Sequence, residues 1–172
     1  MLELFGIGNA IVDIEVNIHD DFLSEWNIPK GQMILVDAER TAQLIAPLKD
    51  SQKNLCSGGS AANTTFAVQA FGASSAYTCK VADDEFGRYY LNEFSAAGLQ
   101  LNGNALTTEA RAPTGQCLIL ISDDAQRTMN THLGVSVELS VNEVEVEALR
   151  QSRYFYVEGY LAASEPSTAA AV

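Results

Sequence analysis

The sequence predicts an α/β fold with a largely parallel sheet and flanking helices. Apolar, strand-like segments alternate along the chain with segments of helical spacing. The 172 residues are 47% hydrophobic and 19% charged, a composition typical of a globular domain with a sizeable core. Two extended segments, around Asp13 to Val36 and around Gln116 to Leu133, fit this pattern less well. They predict a small antiparallel sheet beside the main one.

The first part of the chain predicts three strands, a short helix or turn, and a helix. The apolar residues of LELFGI form the first strand, and glycines interrupt it. From Val12 to Ile18, apolar and polar residues alternate, which predicts a second strand with one polar face. A short helix or turn then leads to a strand from Met33 to Val36. The following helix lies in AERTAQLIAPLKD, with Asp37 as its N-cap.

The remaining elements are read from helix caps and turns. A helix is predicted in SGGSAANTTFAVQAFG, with Ser60 as N-cap and Gly72 as the C-terminal stop. A strand in SSAYTCKVA precedes a helix in DDEFGRYYLNEFSAAG, which begins with acids where the helix dipole favours them, and capping of this helix start explains Asp83 and Asp84. The segments GQCLILIS and RTMNTHL flank DDAQ, a pattern typical of a hairpin. An acidic helix in NEVEVEALRQS and a buried strand in RYFYVEGYLAAS complete the prediction.

Charge and cysteine content exclude several classes of protein. Ten basic residues against twenty-two acidic ones give a net charge of −12, which argues against nucleic acid or anionic membrane as a partner. Cys56, Cys79 and Cys117 stand far apart and form no CxxC pair, so neither a zinc site nor a disulfide framework is predicted. No signal peptide and no membrane span is recognisable, and we expect a cytoplasmic protein.

The glycine pair Gly58–Gly59 before a helix is typical of a ligand-binding turn. A Walker phosphate loop is excluded because no lysine follows, and the GxGxxG fingerprint fails because Ile11 occupies its third glycine position. A neutral ligand with two adjacent hydroxyl groups fits better. Asn63 offers a donor and an acceptor, and Asp13 can accept two hydroxyl hydrogens. The residues alone also allow, and slightly favour, a capped helix after a purely structural turn.

Five segments, in order, resemble one family. They are GIGNAIVDIE, SGGSAANTTFAVQAFG, CKVADDEFG, PTGQCLILI and RTMNTHLG. Together they resemble the ribokinase-like (PfkB-type) carbohydrate kinases, in particular the adenosine-kinase-like members, from Gly6 to about Tyr160. The resemblance implies a ribokinase-like fold with a small β-sheet lid, formed by segments about 13–36 and 116–133. The resemblance also implies that ATP and Mg²⁺ are the cofactors.

The resemblance assigns roles by position. It implies an acceptor site in which Asn9 and Asp13 bind the sugar hydroxyls. Gly58, Gly59 and Asn63 complete that pocket. Met33 and Leu35 belong to the lid, and Tyr160 lines the side that holds the base. It also implies that Arg127 closes near the transferred phosphate, where a cation stabilises the charge of the γ-phosphoryl group. Alternatively, Arg127 is a solvated charge on the hairpin without contact to the phosphate, and Tyr160 is an aromatic residue of the core. His132 is expected to be structural rather than to touch substrate, and the role of Glu158 is open.

The implied reaction is ATP-dependent phosphorylation of a nucleoside or sugar hydroxyl. Adenosine is the first choice of acceptor, inosine or guanosine the second, and a simple sugar the third. The second family signature, a glycine-rich anion hole around a catalytic aspartate, is absent from residues 1–172. We therefore expect an N-terminal portion whose catalytic base and ATP-binding portion lie outside it. The alternatives are another PfkB-type sugar kinase and a non-catalytic nucleoside- or sugar-binding fragment. A homodimer paired through the lid sheet is a further option.

Overall fold

A computed structural model describes residues 2–101 and 104–172. Its strands and helices follow one another as β1 (Leu2–Ile7), β2 (Ile11–Asn17), α1 (Asp20–Glu25), β3 (Met33–Leu35), α2 (Ala38–Ile45), β4 (Lys53–Gly58), α3 (Ser60–Ala70), β5 (Ser75–Thr78), β6 (Val81–Ala82), α4 (Glu85–Ala96), β7 (Gln100–Leu101), β8 (Leu106–Thr107), β9 (Gly115–Ile121), β10 (Arg127–His132), α5 (Val146–Arg150), β11 (Ser152–Val157) and α6 (Glu165–Ala171). Short 3₁₀ helices cover Ala46–Leu48, Gly134–Glu138, Val141–Glu143 and Gly159–Ala163.

The main sheet is parallel, with strand order β11–β1–β5–β7. Its central strand β1 is apolar, and Phe5 and Ile7 are fully buried. Helix α3 packs against β1 and β5, while α5 packs against β1 and β11. This arrangement confirms the predicted parallel sheet with flanking helices, and it follows the general rule that parallel strands are covered by helices.

A second sheet has five strands, in the order β3–β10–β9–β2–β4. The sequence predicted a separate small sheet, but it missed β4 and expected antiparallel pairing throughout. The sheet is mixed: β9 pairs antiparallel with β10, and β2 with β4, whereas β2–β9 and β3–β10 are parallel. The antiparallel expectation was wrong because β2 and β9 are far apart in the sequence, so no hairpin turn dictates their relative direction. β6 and β8 form a further two-stranded pair.

The two faces of the second sheet differ in polarity, as the alternation in β2 predicted. Ile14 and Val16 pack with Leu118 and Leu120 in one apolar cluster, which also includes residues of α1 and α2. Asp13 and Glu15 alternate with these residues and so lie on the opposite face. We call this opposite face the front face of the second sheet.

The predicted ends of three helices are confirmed in atomic detail. Asp37 accepts a hydrogen bond from the Arg40 amide at 2.7 Å, and Asp84 accepts one from the Gly87 amide at 2.7 Å. Gly72 ends α3 with φ = +87°, a conformation in which glycine carries no steric penalty. The Gly72 amide donates to the Gln69 carbonyl and the Ala73 amide to the Val68 carbonyl, the hydrogen-bond pair of a Schellman motif.

The predicted start of α3 is wrong by one residue. Gly59 is the N-cap, with φ = +109°, and Ser60 is already the first helical residue. The Ser60 hydroxyl does not cap the helix, because it donates to Glu158 Oε2 at 2.7 Å. A carboxylate distant in sequence therefore replaces the local serine cap.

The last predicted strand is present as β11, but it is not buried. Tyr154 and Phe155 are 56% and 42% exposed, and Tyr156 and Val157 are similarly open. β11 is an edge strand that pairs only with β1 within the described residues, so its far edge has no neighbour there. The acidic helix before it is shorter than predicted, since only Val146–Arg150 is α-helical. No helix in the described part of the chain is long and apolar enough to cross a membrane.

Candidate functional site

A cavity of about 290 Å³ lies beside the carboxyl ends of β1 and β11 and against the front face of the second sheet. Ends of parallel strands are where α/β folds commonly bind ligands. We call it the front cavity. Its lining combines a few polar groups with a larger apolar wall, and consists of Asn9, Ile11, Met33, Leu35, Gly59, Ser60, Thr131, Leu133, Glu158 and Tyr160.

Glu158, immediately after β11, holds the polar end of the front cavity together. One carboxylate oxygen accepts the Asn9 amide at 2.7 Å. The other accepts the Ser60 hydroxyl at 2.7 Å and the Ala61 amide at 3.1 Å. The residue is 4% exposed and forms no ion pair among the residues that the structure describes. Its carboxylate oxygens instead accept these three hydrogen bonds, two of them from the first turn of α3.

Asn9 occupies the turn between β1 and β2 and is 2% exposed. Its amide donates to Glu158, and its carbonyl accepts the Tyr77 hydroxyl at 3.2 Å, so its backbone is fixed. The side-chain Nδ2 is buried and has no hydrogen-bond partner within the described residues. Buried polar atoms are usually paired, so this amide is available to a ligand in the cavity.

Close contacts within the protein account for the glycine pair. A Cβ atom on Gly59 would lie 2.4 Å from the Asn9 carbonyl oxygen, and one on Gly58 would lie 2.6 Å from Asp13 Oδ1. The Gly58 carbonyl also accepts the buried Tyr90 hydroxyl at 3.0 Å. Glycine is thus required at both positions so that the turn can approach Asn9 and the Asp13 carboxylate.

Asp13 lies on the front face, two residues beyond Ile11 of the cavity wall, and its carboxylate is half-buried against Gly58. Burial raises the pKa of Asp13 from 3.8 to about 6, although the positive charge of Arg127 acts in the opposite direction. Glu15 adds a smaller upward shift of this pKa. Hydrogen bonds donated by a binding partner would favour the ionised form of this carboxylate and so offset the cost of its burial.

Arg127, at the start of β10, is paired with Glu15. The guanidinium Nη2 lies 3.1 Å from Glu15 Oε1, and the arginine side chain is 53% exposed. Arg127 does not line the front cavity, but its charge reaches Asp13 strongly enough to affect the pKa of that group. The pair with Glu15 is solvent-accessible, and exposed ion pairs of this kind contribute little to stability.

The apolar wall of the front cavity is unusually open. Leu35 is 62% exposed, Tyr160 is 61% exposed and Met33 is 44% exposed. Met33 and Leu35 belong to β3, the edge strand of the second sheet, and Tyr160 follows β11. Large apolar side chains around a cavity commonly mark a surface that a ligand or partner covers.

Five of the residues that the sequence proposed line the front cavity: Asn9, Met33, Leu35, Gly59 and Tyr160. The other four, Asp13, Gly58, Asn63 and Arg127, do not line it. Asn63 is exposed on the first turn of α3. His132, which the sequence also singled out, lies on the opposite side of β10 and faces a different cleft.

The sequence did not propose five cavity residues: Ile11, Ser60, Thr131, Leu133 and Glu158. Glu158 gave the best signal, because a carboxylate directly follows an aromatic strand at a position where α/β folds bind ligands. Ile11, Thr131 and Leu133 gave no signal of their own. Their place in the wall depends on pairing between distant strands.

The described residues do not by themselves fit a Mg²⁺ site. No group of three or more His, Cys, Asp or Glu side chains that could hold a metal ion occurs in residues 2–101 and 104–172. The need for Mg²⁺ thus remains an expectation from the resemblance.

Comparison with known proteins shows the family and the fold of the chain. The family described as pfkB family carbohydrate kinase matches residues 32–172. The crystal structure of adenosine kinase from Sinorhizobium meliloti is 36% identical with a TM-score of 0.88, over 98% of this chain and 50% of that chain. A probable sugar kinase protein from Rhizobium etli is 34% identical with a TM-score of 0.87, over the same shares.

A curated relative gives the same picture at lower identity. Adenosine kinase of Saccharomyces cerevisiae is 25% identical over 162 residues, which is 90% of this chain and 46% of that protein. The chain thus spans about half the length of the relatives that it matches.

Proposed function

Because the chain belongs to the pfkB family of carbohydrate kinases, we propose that this protein transfers a phosphoryl group from ATP to a hydroxyl group of a nucleoside, with adenosine as the first choice. The observation that supports this most is the two-sided front cavity. Its polar end offers the unpartnered Asn9 amide, with the Asp13 carboxylate nearby, and its other side is apolar. A nucleoside has a matching shape, with hydroxyl groups at one end and a flat base at the other.

In this proposal, Asn9 and Asp13 anchor the sugar. Asp13 accepts hydrogen bonds from two adjacent hydroxyl groups, and such charge-assisted bonds are short and strong. The Asn9 amide donates to a sugar oxygen and so gains the partner that it lacks. Glu158 positions Asn9 and the start of α3 through the three hydrogen bonds described above.

Met33, Leu35 and Tyr160 cover the base. Burial of these exposed side chains by the acceptor removes apolar surface from water and favours a closed second sheet. Closure also excludes water from the reacting groups, which limits wasteful hydrolysis of ATP. This is the lid role that the resemblance implies for the second sheet.

Arg127 acts near the hydroxyl group of the acceptor that receives the phosphoryl group. As the acceptor phosphate forms, the guanidinium leaves Glu15 and stabilises negative charge on the transferred group. Asp13 is a poor catalytic base, because the hydroxyls that it anchors are not the one that reacts. The base is therefore expected from outside these residues, as the resemblance implies.

A sugar kinase is the second candidate, because the Rhizobium etli relative is a probable sugar kinase. The large exposed side chains of β3 and Tyr160 favour the nucleoside, since a simple sugar has no flat apolar part for them to cover. A non-catalytic binding protein would show the same affinities without phosphoryl transfer. A homodimer through the second sheet and a cytoplasmic location both remain predictions.

Calorimetric titration of the protein at its natural length tests this proposal. Adenosine, inosine, ribose and fructose are titrated separately at pH 7.5. We expect adenosine to bind at least about tenfold more tightly than either sugar, a difference of about 1.4 kcal/mol. Equal or tighter binding of a sugar would favour the second candidate, and no binding of any acceptor would contradict the assignment of the cavity.

A further inference from the structure

A second opening lies on the rear side of the second sheet, opposite the front cavity. It has a volume of about 380 Å³ and is bounded by one side of α2, Phe86 of α4, Pro113, Gln116 of β9 and His132 of β10. We call it the rear cleft. It shares no lining residue with the front cavity.

Two polar groups stand side by side in the rear cleft. His132 and Gln116 are directly paired across β10 and β9, so their side chains are neighbours on one face. The His132 Nε2 atom is buried and has no hydrogen-bond partner within the described residues. Among residues 2–101 and 104–172, the Gln116 side-chain nitrogen reaches only the Thr114 carbonyl, at 3.5 Å, the outer limit of a hydrogen bond.

The rest of the rear cleft is uncharged and largely apolar. Ala38, Ala42 and Ala46 line it from α2, together with the ring of Phe86. No Asp, Glu, Lys or Arg occurs among the lining residues that the structure describes. A charged ligand would find no opposite charge there, and desolvating it would be costly.

We propose that the rear cleft is a second binding site, for an uncharged planar heterocycle that carries a hydrogen-bond donor next to an acceptor, as a lactam does. The flat ring contacts the alanine side of α2 and Phe86. The adjacent donor and acceptor pair with the His132 Nε2 atom and the Gln116 carboxamide, which gives the buried nitrogen a partner.

The site is placed to influence the front cavity. Thr131 and Leu133 line the front cavity, whereas His132 between them faces the rear cleft. Successive side chains of a strand point to opposite faces, so one strand end forms part of both sites. A ligand that fixes the position of His132 therefore restrains Thr131 and Leu133. We expect binding at the two sites to be coupled, but not competitive.

The probe for this site is oxindole, a neutral bicyclic lactam, and N-methyloxindole is the control ligand without the donor. Binding to the natural-length protein is followed by calorimetry, with and without saturating adenosine. We expect oxindole to bind with a Kd below about 1 mM in both conditions, and N-methyloxindole at least about tenfold more weakly. Absence of oxindole binding, or its displacement by adenosine, would overturn the proposal.

A matched pair of variants tests whether oxindole binds in the rear cleft. Ala42 and Gln43 are both exposed on α2, but only Ala42 lines the rear cleft. Ala42→Trp fills the cleft and should abolish oxindole binding, whereas Gln43→Trp should leave it unchanged. His132→Phe keeps the ring and removes its nitrogens, and should erase the preference for oxindole over its N-methyl derivative. Oxindole binding that survives Ala42→Trp would refute the site. Adenosine titrations of the same samples test the proposed function independently.

Discussion

At the scale of single residues, Asp13 is the side chain on which the proposed acceptor site depends most, and its carboxylate is costly to ionise in the free protein. Its carboxylate is pressed against Gly58, where no Cβ atom would fit. Burial raises its pKa to about 6, so the ionised form is disfavoured until a donor arrives. In the proposed function, two hydroxyl groups of the acceptor supply such donors, and binding then offsets the cost of burying the charge.

Replacement of this carboxylate should specifically weaken acceptor binding. For Asp13→Ala we expect a loss of about 2 to 4 kcal/mol in adenosine binding, because two hydroxyls lose a charged acceptor. ATP affinity should barely change. The measurement is calorimetric titration of the natural-length protein, with Asp21→Ala, an acid of the first turn of α1, as the control. Unchanged adenosine affinity in the Asp13→Ala variant would show that the carboxylate does not touch the acceptor.

The raised pKa of Asp13 makes a prediction about pH. The ionised carboxylate accepts hydrogen bonds on both oxygens and more strongly than the neutral acid, so adenosine affinity should fall as the pH drops below about 6, and level off above that value. The stability of the unliganded protein should follow the opposite course. Between about pH 4 and 6 the folded protein binds more protons than the unfolded chain, so this group lowers stability as the pH rises through that interval.

The Asp13→Asn variant separates these two effects from other titrations. It should lose the pH dependence of adenosine binding between pH 5 and 8, and in the absence of ligand it should be more stable than the parent at pH 7 by on the order of 1 kcal/mol. Binding and urea unfolding are measured at each pH. A variant with the same pH profile as the parent would assign the dependence to another group.

At the scale of elements, the two faces of the second sheet differ in what they contact. Its rear face packs Ile14 and Leu118 under α1 and α2, and so is fixed to the molecule. Its front face presents β3 to the front cavity at an open edge, where Met33 and Leu35 are large and exposed. A short edge strand on a well-packed support is a reasonable element to close over a ligand.

Removal of one apolar contact from β3 should damage closure without loss of fold. For Leu35→Ser we expect a higher KM for the acceptor and more ATP hydrolysed per acceptor phosphorylated, because water enters the incompletely covered site. Leu55→Ser, at an exposed position of β4 that does not line the front cavity, serves as the control. Normal coupling of ATP use to product in the Leu35→Ser variant would argue against a lid role for β3.

Local signals in the sequence predicted the elements well. The caps Asp37 and Asp84 and the glycine stop Gly72 were read correctly, because each depends on residues within five positions. Contacts between distant residues were not predictable. The cap of α3 moved to Gly59 because Glu158, almost a hundred residues later, binds the Ser60 hydroxyl. The parallel pairing of β2 and β9 escaped prediction for the same reason.

At the scale of the whole molecule, the candidate site is assembled from segments of the entire chain. The turn after β1, the start of α3, the edge strand β3 and the residues after β11 meet only in the folded protein. The exposed aromatic residues of β11 mark the edge of the main sheet as apolar surface. The sequence predicted β11 as buried because its composition is apolar, but burial depends on what covers a strand, which composition cannot report.

The central claim is that the front cavity binds the acceptor of an ATP-dependent kinase. The most direct measurement is transfer of labelled phosphate from ATP to a panel of nucleosides and sugars, catalysed by the natural-length protein and by residues 1–172 alone. We predict transfer to adenosine by the former at an ordinary rate of about 1 s⁻¹ or more, and none by the latter, because an anion hole and a catalytic base are not recognisable in residues 1–172. No transfer to any acceptor by the natural-length protein, or ordinary turnover by residues 1–172 alone, would contradict this account.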